Sequence, residues 1–144
     1  MFFDITRPLT PRTAVFPGDT PVSIQQVASM QKGASCNVSA LTMSSHAATH
    51  IDAPRHYSDE APGIEAISPE VFLGSARVIT IETPFIRRSD LTQHDLRGIT
   101  RLLIHTRASD VPNEVREADC AFFDPDASDY PGRLGLRLIG VDTP

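Results

Sequence analysis

Apolar residues along this chain gather in short runs separated by turn-forming residues, with no sustained helical stripe. Residues 22–27 and 37–43 read as strands, and a further short strand is expected over residues 2–5. The apolar run in residues 77–82 is the clearest strand signal, followed by 101–106, 120–123 and 138–141. Residues 78–81, 102–104 and 138–141 are apolar at successive positions, the pattern of strands buried on both faces. Helical signals between them are brief. Ser68-Pro69-Glu70 places a capping hydroxyl before a proline at the first helical position, with Gly74 as the stop. A second short helix is expected from Ser89 or Thr92 to Leu96, ahead of Gly98. Asp124-Pro125 opens a third, which Pro131 should break or shorten. Strands alternating with short helices predict an α/β domain.

Composition narrows this picture. One domain spanning residues 1–144 fits the length, with no internal repeat or low-complexity segment. Hydrophobic residues at 40%, charged residues at 22% and a mean hydropathy of −0.14 describe a globular chain, not a disordered one. No apolar run reaches membrane-spanning length, and the start Met1-Phe2-Phe3-Asp4 lacks a basic n-region, so a cytoplasmic protein without a membrane partner is expected. The net charge is −5 and the 13 basic residues are scattered, which speaks against a nucleic-acid partner. Cys36 and Cys120 form no C-x-x-C and are expected as reduced, buried thiols. Arg87-Arg88 reads as a solvated pair, Asp124, Asp126 and Asp129 as helix capping and surface, and His94 and His105 as structural.

Candidate chemistry is concentrated in one window. Three of the five histidines fall between residues 46 and 56, in His46-Ala-Ala-Thr-His50-Ile-Asp52-Ala-Pro-Arg-His56. An i, i+4 helical reading of His46 and His50 is poor, because Thr49 and Ile51 are β-branched and Pro54 follows closely. In an extended chain positions 46, 50 and 52 share a face. Four extended residues, however, span roughly 13 Å, too far for two ligands of one ion. A bend at the small pair Ala47-Ala48 would bring His46, His50 and Asp52 together. Two imidazoles and a carboxylate with an open position describe a catalytic divalent-metal site, zinc foremost and manganese possible.

These residues carry a resemblance. The segment from Ser45 to His56 resembles the H-x-G-T-H-x-D-x-P-x-H signature of the cyclase family, which includes metal-dependent kynurenine formamidases (arylformamidases). Phe16-Pro-Gly-Asp-Thr-Pro21 is similar to that family's W-P-G-D-x-P segment, and Leu138-Ile-Gly-Val-Asp-Thr-Pro144 to its later strand and loop. The resemblance implies a swivelling β/β/α domain and a homodimer or higher homo-oligomer. It implies that His46, His50 and Asp52 hold a metal, with Asp52 reaching a second ion. His56 would be the catalytic proton donor and acceptor. Phe16 would contact substrate, with Tyr57 as a further stacking candidate. The implied reaction is hydrolysis of an aryl formamide, N-formyl-L-kynurenine to L-kynurenine and formate, in tryptophan degradation. Alternatives are another formamide or cyclic amide, or a non-catalytic metal-binding member. Three differences from the pattern stand out. Ala48 replaces a glycine, at a cost of about 1 kcal/mol if that backbone needs positive φ. Phe16 replaces a tryptophan. The C-terminal portion of the family domain, with a further His and a bridging Glu, is absent from these residues.

Overall fold

Residues between Val22 and Met43 form a hairpin, the first regular structure among the described residues. The computed structural model describes residues 3–116 and 120–143. Strand β1 (Ser23–Ala28) pairs antiparallel with β2 (Val38–Thr42), Ser23 facing Thr42, with a register shift between Gln26 and Ala28. The chain divides into two compact units. This hairpin belongs to the first, which comprises the described residues up to Asp52 together with Pro112–Arg116. Burial in it is sparse: Val22 and Ala47 are its fully buried apolar residues, while Ile24, Val27, Val38 and Leu41 on the hairpin are exposed.

The second unit takes Ala53–Val111 and the described residues from Cys120 onward. Its centre is a parallel sheet of β3 (Arg77–Thr80), β5 (Arg101–His105) and β7 (Leu138–Val141), in the order β3-β5-β7. A short parallel pair joins β4 (Phe85–Ile86) to β6 (Phe122–Phe123). Three brief helices connect these strands: α1 (Arg88–Thr92), α2 (Pro125–Ser128) and α3 (Tyr130–Arg133). Ile79 and Ile81 pack with Ile86, Leu91, Leu96, Leu102, Ile104, Ala121 and Ala127 into one buried cluster. Each large aliphatic side chain buried there contributes about 1.5–3 kcal/mol over its exposed state. The buried Arg101 is satisfied: its Nε donates to the Val71 carbonyl at 2.7 Å and its Nη1 to Thr100 Oγ1 at 3.0 Å, with Nη2 on the Glu70 carbonyl.

The architecture is the mixed α/β fold expected, and several elements sit where the sequence puts them. Leu138–Val141 is a strand, Ser68 accepts the Glu70 N–H at the start of a 3-10 turn over Pro69–Phe72, and Pro131 falls in a new turn after α2 stops. Other elements differ. Residues 3–5 form no strand, and Phe2 lies outside the described residues; Asp4 instead accepts the Thr6 N–H and hydroxyl, closing a local turn. Helix α1 starts at Arg88 and ends before His94, because Asp90 accepts the Arg87 N–H and Asp95 turns to hold Arg97. Burial of β3 is one-sided: Ile79 is 4% exposed but Val78 is 60% exposed. Cys36 and Cys120 are not buried as expected: Cys36 is exposed, since it lies in the loop between β1 and β2, and Cys120 is half-buried.

Candidate metal centre

The strand β2 ends at Thr42, and within four residues the chain begins a tight bend built from small side chains. The Ala47 N–H donates to the Ser44 carbonyl at 3.2 Å, and Ala47 is packed away at 2% exposure. Ala48 then takes φ of +57°, the one positive-φ residue other than glycine among the described residues. This is the bend that the spacing of His46 and His50 requires, at the position where the resembling signature has glycine. An L side chain in this left-handed conformation costs on the order of 1 kcal/mol.

The strained residue does something specific. Its carbonyl oxygen lies 2.8 Å from His50 Nδ1. A carbonyl can only accept, so the contact places a proton on Nδ1, which in the neutral ring puts the lone pair on Nε2. That lone pair belongs to a convergent group: His46 Nδ1, His50 Nε2 and a carboxylate oxygen of Asp52 all lie within 4.8 Å of one another. His46 Nδ1 is 3.3 Å from His50 Nε2 and 3.0 Å from Asp52 Oδ1, and His50 Nε2 is 3.6 Å from the same oxygen.

Those separations test whether a metal fits. Tetrahedral ligands about 2.0–2.1 Å from an ion stand about 3.3–3.4 Å from each other. The three observed edges bracket that value, and the donor set is two imidazoles and a carboxylate. The second ring nitrogen of His50 is held by a carbonyl, the arrangement that orients metal-binding histidines elsewhere. The side chains of His46, His50 and Asp52 keep 32%, 27% and 32% of their surface exposed, so an ion could be reached from solvent. The group fits a divalent metal.

A hydrogen-bond relay ties this loop to the segment carrying Phe16. Pro17 and Gly18, the latter at φ +96°, make the expected turn, closed by the Asp19 N–H on the Phe16 carbonyl at 2.9 Å. The Asp19 carboxylate accepts the Ser44 hydroxyl at 2.8 Å, and Ser44 Oγ accepts the His46 N–H at 3.1 Å. Thr49 Oγ1 also accepts the Arg7 N–H at 3.0 Å. Sequence reasoning does not single out Ser44; its signal is its place directly before the histidine window. Phe16 itself is 60% exposed.

His56 is placed differently. It closes a 3-10 turn over Pro54–His56 in the second unit, its N–H on the Ala53 carbonyl at 2.8 Å. Its ring meets that of Tyr57 edge-on, centroids 4.5 Å apart, and Tyr57 is 81% exposed. Arg55 steadies this turn by donating its N–H to the Pro62 carbonyl and its Nε to the Ala61 carbonyl. His105, at the end of β5, and His94 join no group of three or more metal-binding side chains among the described residues.

Comparison with known proteins gives consistent results. The Cyclase family model matches residues 3–144. Kynurenine formamidase of Geobacillus thermodenitrificans (strain NG80-2) is 38% identical over 144 residues, covering 99% of this chain and 68% of the relative. Kynurenine formamidase of Bacillus thuringiensis (strain Al Hakam) is 36% identical with the same coverage. Among solved structures, one described as a potential metal-dependent hydrolase with cyclase activity superposes with a TM-score of 0.79 at 20% identity, over 96% of this chain and 66% of its own. A metal-dependent hydrolase so described from Bacillus stearothermophilus gives 0.76, also at 20% identity, over 67% of its length. The chain thus spans about two-thirds of the length of these relatives.

Proposed function

The chain belongs to the cyclase family, and from that premise we propose that it is a metal-dependent amide hydrolase of the kynurenine formamidase type. Its reaction is hydrolysis of N-formyl-L-kynurenine to L-kynurenine and formate. The observation that carries this reading is the convergence of His46 Nδ1, His50 Nε2 and Asp52 Oδ1 at separations suited to one tetrahedral ion.

In this reading His46, His50 and Asp52 hold the ion, zinc foremost with manganese as the alternative. An ion held there would supply Lewis-acid charge able to polarise a carbonyl and to lower the pKa of water. The chain's residues do the rest. Phe16 offers an exposed aromatic face to the substrate ring. The amide C–N bond breaks as the formyl carbon gains oxygen from water, and the departing arylamine must take up a proton. His56 is assigned that transfer, a role worth about 10²–10⁴-fold in rate for a positioned acid-base group.

Phe16 also favours a second reading. A benzyl ring stacks but lacks the indole N–H and some of its area, so a different aryl formamide or a cyclic amide is the alternative substrate. Side-by-side turnover of N-formylkynurenine, N-formylanthranilate and isatin by the zinc-loaded chain decides. Fastest release of kynurenine with stoichiometric formate supports the first reading, preference for either other compound supports the second, and no turnover of any contradicts both. His56→Ala should retain metal and lose at least 10²-fold in kcat; an unchanged kcat would contradict the role assigned to His56.

A further inference from the structure

Resting on that reading, the segment Pro112–Arg116 adds a statement about which substrate the site takes. In sequence this segment lies between β5 and β6, yet it belongs to the first unit, with Phe16 and the metal-ligand loop. It is fastened there by its backbone and by Asn113. The Asn113 carbonyl accepts the Ala14 N–H at 3.0 Å, and Asn113 Nδ2 donates to the Pro8 carbonyl at 2.8 Å and to Thr13 Oγ1 at 3.1 Å. Glu114 pairs with Arg12 at 3.5 Å. The position of Arg116 is therefore fixed by its neighbours and not by its own side chain.

Arg116 is half-buried, and its guanidinium carbon lies 4.7 Å from the centroid of the Phe16 ring. That contact uses the π face of the ring. It leaves the guanidinium's N–H donors without an acceptor among the described residues. Among the described residues none accepts a hydrogen bond from Arg116 and no carboxylate pairs with it, since the acid of its own segment, Glu114, is engaged by Arg12. A guanidinium that keeps rim donors available matches a carboxylate bidentately. The Phe16 beneath it is connected to the metal-ligand loop through Asp19, Ser44 and the His46 N–H.

We propose that Arg116 is a specificity-determining residue of this site, and that the substrate is an aryl formamide bearing a carboxylate, which Arg116 binds while the ring lies against Phe16. A cation at this point discriminates against neutral formanilides, which present no partner for it. The primary test uses binding, so that it stands whether or not formamides are turned over. Benzoate and benzamide are titrated into the zinc-loaded full chain and into Arg116→Gln and Arg116→Lys, followed by ligand-observed NMR. The expected result is benzoate binding at least tenfold tighter than benzamide to the wild type, with the preference abolished in Arg116→Gln and partly kept in Arg116→Lys. Equal binding by the wild type would overturn the proposal. So would a benzoate preference that survives in Arg116→Gln, because the carboxylate would then be held elsewhere. In turnover, Arg116→Gln should raise KM for N-formylanthranilate about tenfold without changing kcat and leave formanilide unaffected. An equal loss on both compounds would mark a merely structural role and overturn the assignment. Absence of turnover by the wild type fells the formamidase reading alone, and the titration still decides Arg116.

Discussion

The two units of this chain are held by different forces. The second has a parallel sheet, helices against it and a cluster including Ile86, Leu91, Leu102 and Ile104 with essentially no solvent contact. The first buries little beyond Val22 and Ala47, leaves both strands of its hairpin largely exposed, and carries the three metal-binding side chains. Order there comes from named hydrogen bonds: Asp19 to Ser44, Ser44 to His46, Asn113 to Pro8 and Thr13. A two-stranded hairpin is marginal alone in water, so these tethers matter more than propensity. Hydrophobic burial makes one region a scaffold, while polar contacts set the geometry of the other. Damage to each should therefore read out differently.

The largest effect is expected in the scaffold. Leu102→Ala removes a fully buried side chain from the middle strand of the β3-β5-β7 sheet and should lower unfolding stability by about 2–5 kcal/mol in urea. A cost below about 1 kcal/mol would mean that the cluster is not the main source of stability. An intermediate effect is expected in the relay. Ser44→Ala removes both the hydroxyl held by Asp19 and the acceptor for the His46 N–H. It should cost about 1 kcal/mol in stability and weaken zinc binding by about 10-fold, as loss of an outer partner of a ligand does. Unchanged zinc affinity would show that the relay does not position His46. The smallest effect is at the bend. Ala48→Gly relieves the φ of +57°, and should gain up to about 1 kcal/mol by thermal unfolding. A loss of stability would show that the left-handed conformation is not strained in the folded chain.

The same contrast explains what could be read from sequence. The strands of the scaffold are written as short, mostly apolar runs, so β3, β5 and β7 lie where those runs place them. The two-residue strands β4 and β6 are too short to leave a clear signal: Phe85–Ile86 passes unnoticed, and 120–123 shrinks to Phe122–Phe123. The exposed side of β3 could not be read from its composition, because Val78 is as apolar as the buried Ile79. At the metal centre, ligand types and spacing show that His46, His50 and Asp52 need a bend, and the smallness of Ala47-Ala48 shows where. Ser44, the His50 tautomer and Arg116 were beyond such reading. Each depends on a partner distant along the chain or on a carbonyl direction that only the folded backbone sets.

The proposed function depends on His46, His50 and Asp52 together holding a divalent metal. Calorimetric titration of zinc into the metal-free chain, beside His50→Ala, tests it most directly. The expected result is saturable binding of at least one ion per chain at neutral pH, weakened in His50→Ala by more than the 10–100-fold that losing an outer partner costs. Zinc binding equally strong in His50→Ala, or no binding by the wild type, would contradict it.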